Sequence, residues 1–174
     1  MPRPFLLLLC AAALSGAGCG GPRSPLPTVA AVDLDRYAGR WVEIAHLPNR
    51  FQAKCVSDTQ ATYTREGDRI AVLNACRTAD GSVDSVRGIA HAVEGSGNAR
   101  LRVSFFRPFY GDYWILALDP DYRWVLVGEP TRTYAWILAR SPQLDDATRD
   151  ALLARADALG FDRSAFVLTA HTQP

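Results

Sequence analysis

Histidines, cysteines and one Gly-rich turn are the parts of this chain whose chemistry bears on catalysis or metal binding. His46, His91 and His171 are scattered. They lack the close spacing by which side chains converge on a zinc-like ion, so neither a metal site nor a cofactor is expected. Glu94-Gly95-Ser96-Gly97 reads as a turn. It has no strand-to-helix context that would present Ser96 as a nucleophile. The chain has no Gly-rich phosphate loop of the nucleotide-binding type. Four cysteines remain: Cys10 and Cys19 near the N-terminus, Cys55 and Cys76 in the body. A low-pKa cysteine would be a nucleophile. Two body cysteines in an exported chain instead suggest one disulfide, with two buried free thiols as the alternative.

Export is expected from the first residues. Met1-Pro2-Arg3-Pro4 carries one positive charge, and Phe5 to Leu14 is an apolar run too short to cross a bilayer as a helix. Ser15, Gly16, Ala17 and Gly18 then lead to Cys19. This reads as a signal peptide over 1–18. A core helix is the alternative, and the glycines would break it. Small residues directly before a cysteine resemble a bacterial lipobox, which implies lipidation of Cys19 by acyl chains such as palmitate. Gly16 stands where that pattern usually has Leu, so ordinary cleavage with a spare thiol is the alternative. Gly20 after the cysteine resembles outer-membrane sorting. Gly21 to Pro27 reads as a flexible tether, which makes 19–32 an anchor and linker and 33–174 the folded domain.

The 174 residues suffice for one domain; 48% are apolar and 21% charged, which suits a sizeable core. A formal charge of +1 and the absence of a basic run argue against nucleic acid as a partner. Turn signals fall at Glu66-Gly67-Asp68, Asp80-Gly81, Gly95 to Asn98, Pro108 to Asp112, Asp119-Pro120-Asp121 and Glu129-Pro130-Thr131. Between them lie short stretches rich in Val, Ile, Thr, Tyr, Phe and Trp. Eight strands are predicted, at 40–47, 55–65, 69–76, 82–93, 99–106, 112–118, 123–128 and 133–140. With no crossover helix among them, they form an antiparallel up-and-down meander. If Arg65 faces Asp68 across the turn, Cys55 and Cys76 lie nearly opposite, two positions out of register. After residue 140, Leu144, Thr148, Leu152, Ala156 and Leu159 recur at helical spacing. Ser141-Pro142 or Asp145 opens this helix and Gly160 closes it. A last short strand is predicted at about 164–169.

Three segments of this pattern resemble the lipocalin family. Gly39-Arg40-Trp41 matches the Gly-x-Trp of the first strand. Asp121-Tyr122 matches the Asp-Tyr loop between the sixth and seventh strands. Arg140 matches the arginine that closes the eighth. The likeness covers about residues 33–170. Val103 to Phe106, Pro108-Phe109-Tyr110-Gly111, Ile115 to Asp119 and Trp136 to Arg140 resemble the subgroup of bacterial outer-membrane lipoprotein lipocalins and apolipoprotein D.

The resemblance implies an all-β fold: an eight-stranded barrel, closed at one end, with the helix packed outside. It implies that Trp41 plugs the closed end under the Arg140 guanidinium. It implies binding, storage or transport of a fatty acid or lysophospholipid in a bacterial envelope, without catalysis and with a lipid anchor in the membrane. A homodimer stands as an option. Trp114 and Trp136 are the expected pocket aromatics. Tyr134 shares its strand face with Trp136, and Phe51 sits in a long first loop across the mouth. The alternatives are a lipocalin-fold enzyme acting on a lipid through a free cysteine, and an envelope protein that works through its outer surface.

Overall fold

The computed structural model describes residues 24–172. The signal peptide and Cys19 lie outside the described residues. A short helix, α1 (Leu34–Tyr37), precedes eight strands. These are β1 (Gly39–His46), β2 (Cys55–Glu66), β3 (Arg69–Thr78), β4 (Val83–Ala92), β5 (Arg100–Phe106), β6 (Phe109–Leu118), β7 (Trp124–Gly128) and β8 (Ala135–Ala139). Helix α2 (Asp146–Ala158), a 3₁₀ turn (Arg163–Ala165) and β9 (Val167–Leu168) follow. From β1 to β8 each strand pairs antiparallel with the next, and β1 pairs with both β8 and β2, which closes the barrel.

Alternation along the strands divides the apolar residues into two clusters. The interior one takes side chains from every barrel strand: Trp41, Tyr63, Val72, Ala90, Leu101, Ile115, Val127 and Leu138 among them. The outer one joins Val42, Ile44, Leu116, Leu126 and Ile137 to Leu152 and Ala156 of α2. Asp145 starts that helix, accepting from Thr148 N at 2.8 Å, and Ser141-Pro142 lies before it. Gly160 ends it at φ +87°, a conformation that disfavours residues with a Cβ.

Several expected boundaries are corrected. Arg65 pairs with Ile70, not Asp68, since only Gly67 and Asp68 lie outside the ladder. Register shifts between Cys55 and Gln60 then bring Cys55 opposite Thr78, and the Cys55–Cys76 disulfide forms across the diagonal with a Cα–Cα distance of 5.6 Å. Phe109 pairs with Phe106, so β6 begins three residues earlier than the turn residues suggest. The start of β8 recedes to Ala135 because the Glu129 carboxylate gathers the turn. It accepts from the N–H groups of Thr131, Thr133 and Tyr134. Helix α1 was not foreseen; the Asp33 side chain caps it, accepting from Asp35 N and Arg36 N. The stretch expected as a tether is docked from Ser24 onward. Leu26 is buried in the outer cluster, and Val29 N donates to Ile115 O.

The C-terminus completes the wall. Strand β2 leaves β1 beyond the Val42–Gln60 pair, and β9 replaces it beside Ala45 and His46. Asp58 N donates to Ala170 O, and the Asp58 carboxylate accepts from the backbone and hydroxyl of Thr172. The Thr172 bonds, with help from Arg77, hold the Asp58 pKa at about 2. An acid depressed in the fold stabilises it fully above its unfolded pKa of ~3.9 and loses that contribution as pH falls through the folded value. Residues 167–172 are therefore expected to detach between about pH 4 and pH 2, while the barrel persists. Hydrogen exchange at Asp58 N and Thr172 N checks this. Protection unchanged down to pH 2, or unchanged in Asp58→Asn at neutral pH, would overturn it.

Candidate functional site: a closed floor and an aromatic mouth

The floor is built from residues that the strand order brings to one end. Trp41 is fully buried and its indole Nε1 donates to Tyr37 O at 2.8 Å. The Arg140 guanidinium lies 3.8 Å from the centre of the indole ring. It donates to four carbonyls: Arg36 O (2.7 Å), Arg40 O (2.8 Å), Tyr37 O (3.2 Å) and Tyr122 O (3.2 Å). Burial pulls its pKa down from the usual arginine value. Gly39 has φ +96°, and a Cβ there would sit 3.3 Å from an Arg140 nitrogen. Tyr122 accepts from Asp33 N through its hydroxyl and lies under the Arg36 guanidinium. Asp121 is exposed and donates its N–H to the Asp119 carboxylate. The acid that organises this loop is the buried Asp119. Asp119 takes two bonds from the Arg123 guanidinium, which lower its pKa. Together these groups seal and brace the end of the barrel.

At the opposite end the expected aromatics divide. Phe51, Tyr134 and Trp136 meet: the Phe51 and Tyr134 ring centres are 5.5 Å apart, and Tyr134 stacks on Trp136 at 6.2 Å. Trp136 packs against the interior cluster. Trp114 does not join them. It belongs to the outer cluster, with Arg100 over its ring at 4.3 Å. Its neighbour Ile115 is the inward residue, so an alternating strand must turn Trp114 out.

Sequence reasoning missed a polar network behind the mouth. Glu43 is only 2% exposed. Its carboxylate accepts from Gln52 Nε2 and the Thr169 hydroxyl, both at 2.6 Å, and lies 2.9 Å from His46 Nδ1. Gln52 Oε1 accepts in turn from Trp136 Nε1 at 2.9 Å and from Asn49. One buried acid thus holds the mouth loop, Trp136 and the C-terminal segment together. A lone Glu within Trp41-Val42-Glu43-Ile44-Ala45 was the available signal. Among the described residues, no three His, Cys, Asp or Glu side chains converge as a metal site.

Between floor and mouth lies the lumen. Val103, Phe105, Tyr113 and Trp136 pack against the interior cluster from three strands and keep accessible surface, whereas Leu101, Ile115, Val125 and Val127 are fully buried, Leu101 opposite Tyr113 and Val127 opposite Trp136. The barrel interior thus combines apolar walls, a closed base, and a mouth lined by aromatics with a few polar groups, the composition of a ligand pocket.

The family model for a lipocalin-like domain matches residues 32–171. The outer membrane lipoprotein Blc of Escherichia coli K12 is 38% identical over 169 residues, covering 93% of this chain and 95% of the relative. Temperature-induced lipocalin-1 of Arabidopsis thaliana is 39% identical over 82% of this chain and 81% of its own length. Apolipoprotein D of Macaca fascicularis is 37% identical, covering 85% and 84%. Among solved structures, insecticyanin of the tobacco hornworm Manduca sexta superposes with a TM-score of 0.71 at 23% identity, over 88% of each chain, a likeness of fold.

Proposed function

The chain belongs to the lipocalin family, and from that premise we propose that it binds a small hydrophobic ligand in the barrel and stores or carries it in a bacterial cell envelope. The observation that carries this reading is the apolar barrel interior, with Val103, Phe105, Tyr113 and Trp136 only partly buried, behind the Phe51–Tyr134–Trp136 ladder. An acyl chain suits it. Each buried methylene contributes about 0.8 kcal/mol, so a fatty acid or lysophospholipid reaches micromolar affinity after the costs of association.

The relationship to Blc lipoproteins and the leader together support a chain cleaved after residue 18, with a lipid on Cys19 and a folded domain from residue 33. The body would then sit mouth-down. Arg132, in the β7–β8 turn at the mouth, donates to Ser24 O at 2.7 Å, so the chain leaves the barrel at that end. The five residue-to-residue steps from Cys19 to Ser24 reach at most ~18 Å. Phe51, Phe106 and Phe109 are exposed on the same rim, at 60%, 74% and 76%. Among the described residues no helix is long and apolar enough to cross a membrane.

Calorimetric titration of the mature protein with palmitate and a lysophospholipid tests the reading. Saturable binding is expected. Trp136→Ala should weaken it about 30-fold, the size of a binding hot spot, with the circular dichroism spectrum unchanged. Absence of binding with both lipids would sink the proposal. Full affinity in Trp136→Ala would move the pocket elsewhere. A thiol-dependent enzyme is disfavoured because Cys55 and Cys76 are joined. Action through the outer surface would use the cleft of about 320 Å³ beside Thr28, Glu94 and Arg100, and predicts no stabilisation by lipids.

A further inference from the structure

Three tyrosine hydroxyls converge at the inner end of the lumen. Tyr37 comes from α1, Tyr63 from β2 and Tyr113 from β6. The Tyr37 and Tyr113 oxygens are 2.7 Å apart, and the Tyr63 hydroxyl donates to Tyr113 at 3.0 Å. Tyr37 and Tyr63 are sealed in the interior cluster at 1% and 5% exposure, and only Tyr113 keeps accessible surface.

Three hydroxyls own three hydrogens, and two are needed for the two bonds. If Tyr113 donated to Tyr37, the Tyr37 hydrogen would be left among apolar side chains with no acceptor, an expensive arrangement. Tyr37 must therefore donate as well. Tyr113 accepts twice, its lone pairs are taken, and its own O–H is turned to the lumen. Two accepted bonds polarise that O–H and make it a better donor. Burial raises the pKa of all three phenols, Tyr63 to about 12, so they stay neutral donors. The Arg140 guanidinium, whose charge acts on Tyr37, is engaged with four carbonyls beneath Trp41. An anionic group at Tyr113 would be desolvated without a partner, so a neutral acceptor fits better.

Resting on the ligand-binding reading above, we propose that Tyr113 Oη is a hydrogen-bond anchor at the base of the lumen for a neutral carbonyl oxygen, a ketone or an ester, on the leading end of an apolar ligand. A plain methyl terminus leaves this donor unanswered; a carbonyl satisfies it. The site thus selects oxygenated hydrophobes over simple hydrocarbon tails.

The test compares saturated fatty acids of twelve, fourteen and sixteen carbons with analogues carrying an oxo group at the penultimate carbon. Calorimetry is run on the mature protein, on Tyr113→Phe, and on the triple variant Tyr37→Phe/Tyr63→Phe/Tyr113→Phe. The triple variant leaves no orphaned hydroxyl, so it keeps the test alive if the single variant is poorly folded. At one chain length or more, the unaltered protein should bind the oxo analogue about fivefold more tightly, the worth of one net hydrogen bond. Both variants should bind the two forms equally. Equal affinities in the unaltered protein, or a preference that survives in the triple variant, would overturn the anchor while leaving acyl binding intact. Binding of neither form would overturn the ligand-binding reading and the anchor with it.

Discussion

Trp41→Ala is expected to lower the unfolding free energy by about 4 kcal/mol, the upper range for truncating a buried aromatic. The indole is fully buried against Tyr37, with ring centres 5.0 Å apart. Its loss leaves a cavity that the surrounding strands cannot close. It also removes the bond to Tyr37 O and exposes one face of the Arg140 guanidinium, which is stacked on the indole and bonded to four carbonyls. The two residues should therefore couple. Arg140→Met alone is expected to cost about 3 kcal/mol, since it strands carbonyls of the α1–β1 entry and of the β6–β7 loop. The double variant should cost about 1–2 kcal/mol less than the sum. Urea unfolding of the four proteins measures all of this. A Trp41→Ala loss below 1 kcal/mol, or strict additivity, would refute the account of the floor as one unit.

The second large effect concerns the disulfide. Cys55→Ser/Cys76→Ser is expected to destabilise by about 3 kcal/mol, as for a crosslink spanning a loop of about 20 residues. Cys55 and Cys76 are 21 residues apart. The site has more than a generic reason to matter. Strand β2 carries two register shifts between Cys55 and Gln60, so its ladder to β3 is sparse where the crosslink sits. Cys55 also ends the mouth loop, whose Gln52 reaches Glu43 and Trp136. Without the crosslink, ligand affinity should fall along with stability. Thermal unfolding with and without reductant checks the first part, and calorimetry of the Ser variant the second. A midpoint insensitive to reductant, with the bridge verified as reduced, would contradict the prediction.

Local chemistry made much of this protein readable. Strand number followed from turn signals such as Glu66-Gly67-Asp68 and Glu129-Pro130-Thr131, because Gly, Pro and Asx residues act on their own few neighbours. Helix α2 followed from apolar spacing and its Asp145 cap. Gly39, Trp41 and Arg140 were legible as a motif, and the structure joins them at the floor.

Facing was a different matter. A period of two says which residues share a side, not which side is inside. Trp114 and Trp136 looked equivalent, yet one lies on the outer wall and the other on the lumen. Bulges on β1, β2 and β6 shift the register locally, and no signal in the sequence announced them. The Cys55–Cys76 pairing was foreseen from the meander, while the register that produces it was not.

By itself, then, the sequence determined the strand inventory, helix α2 and the family motifs, all of which rest on short-range stereochemistry. Only the tertiary structure decided the functional details. Tyr113 meets Tyr63 and Tyr37 across 50 and 76 residues. Glu43 meets Thr169 across 126. Contacts at such separation depend on barrel closure, register and shear together, and so appear only when the whole wall is assembled.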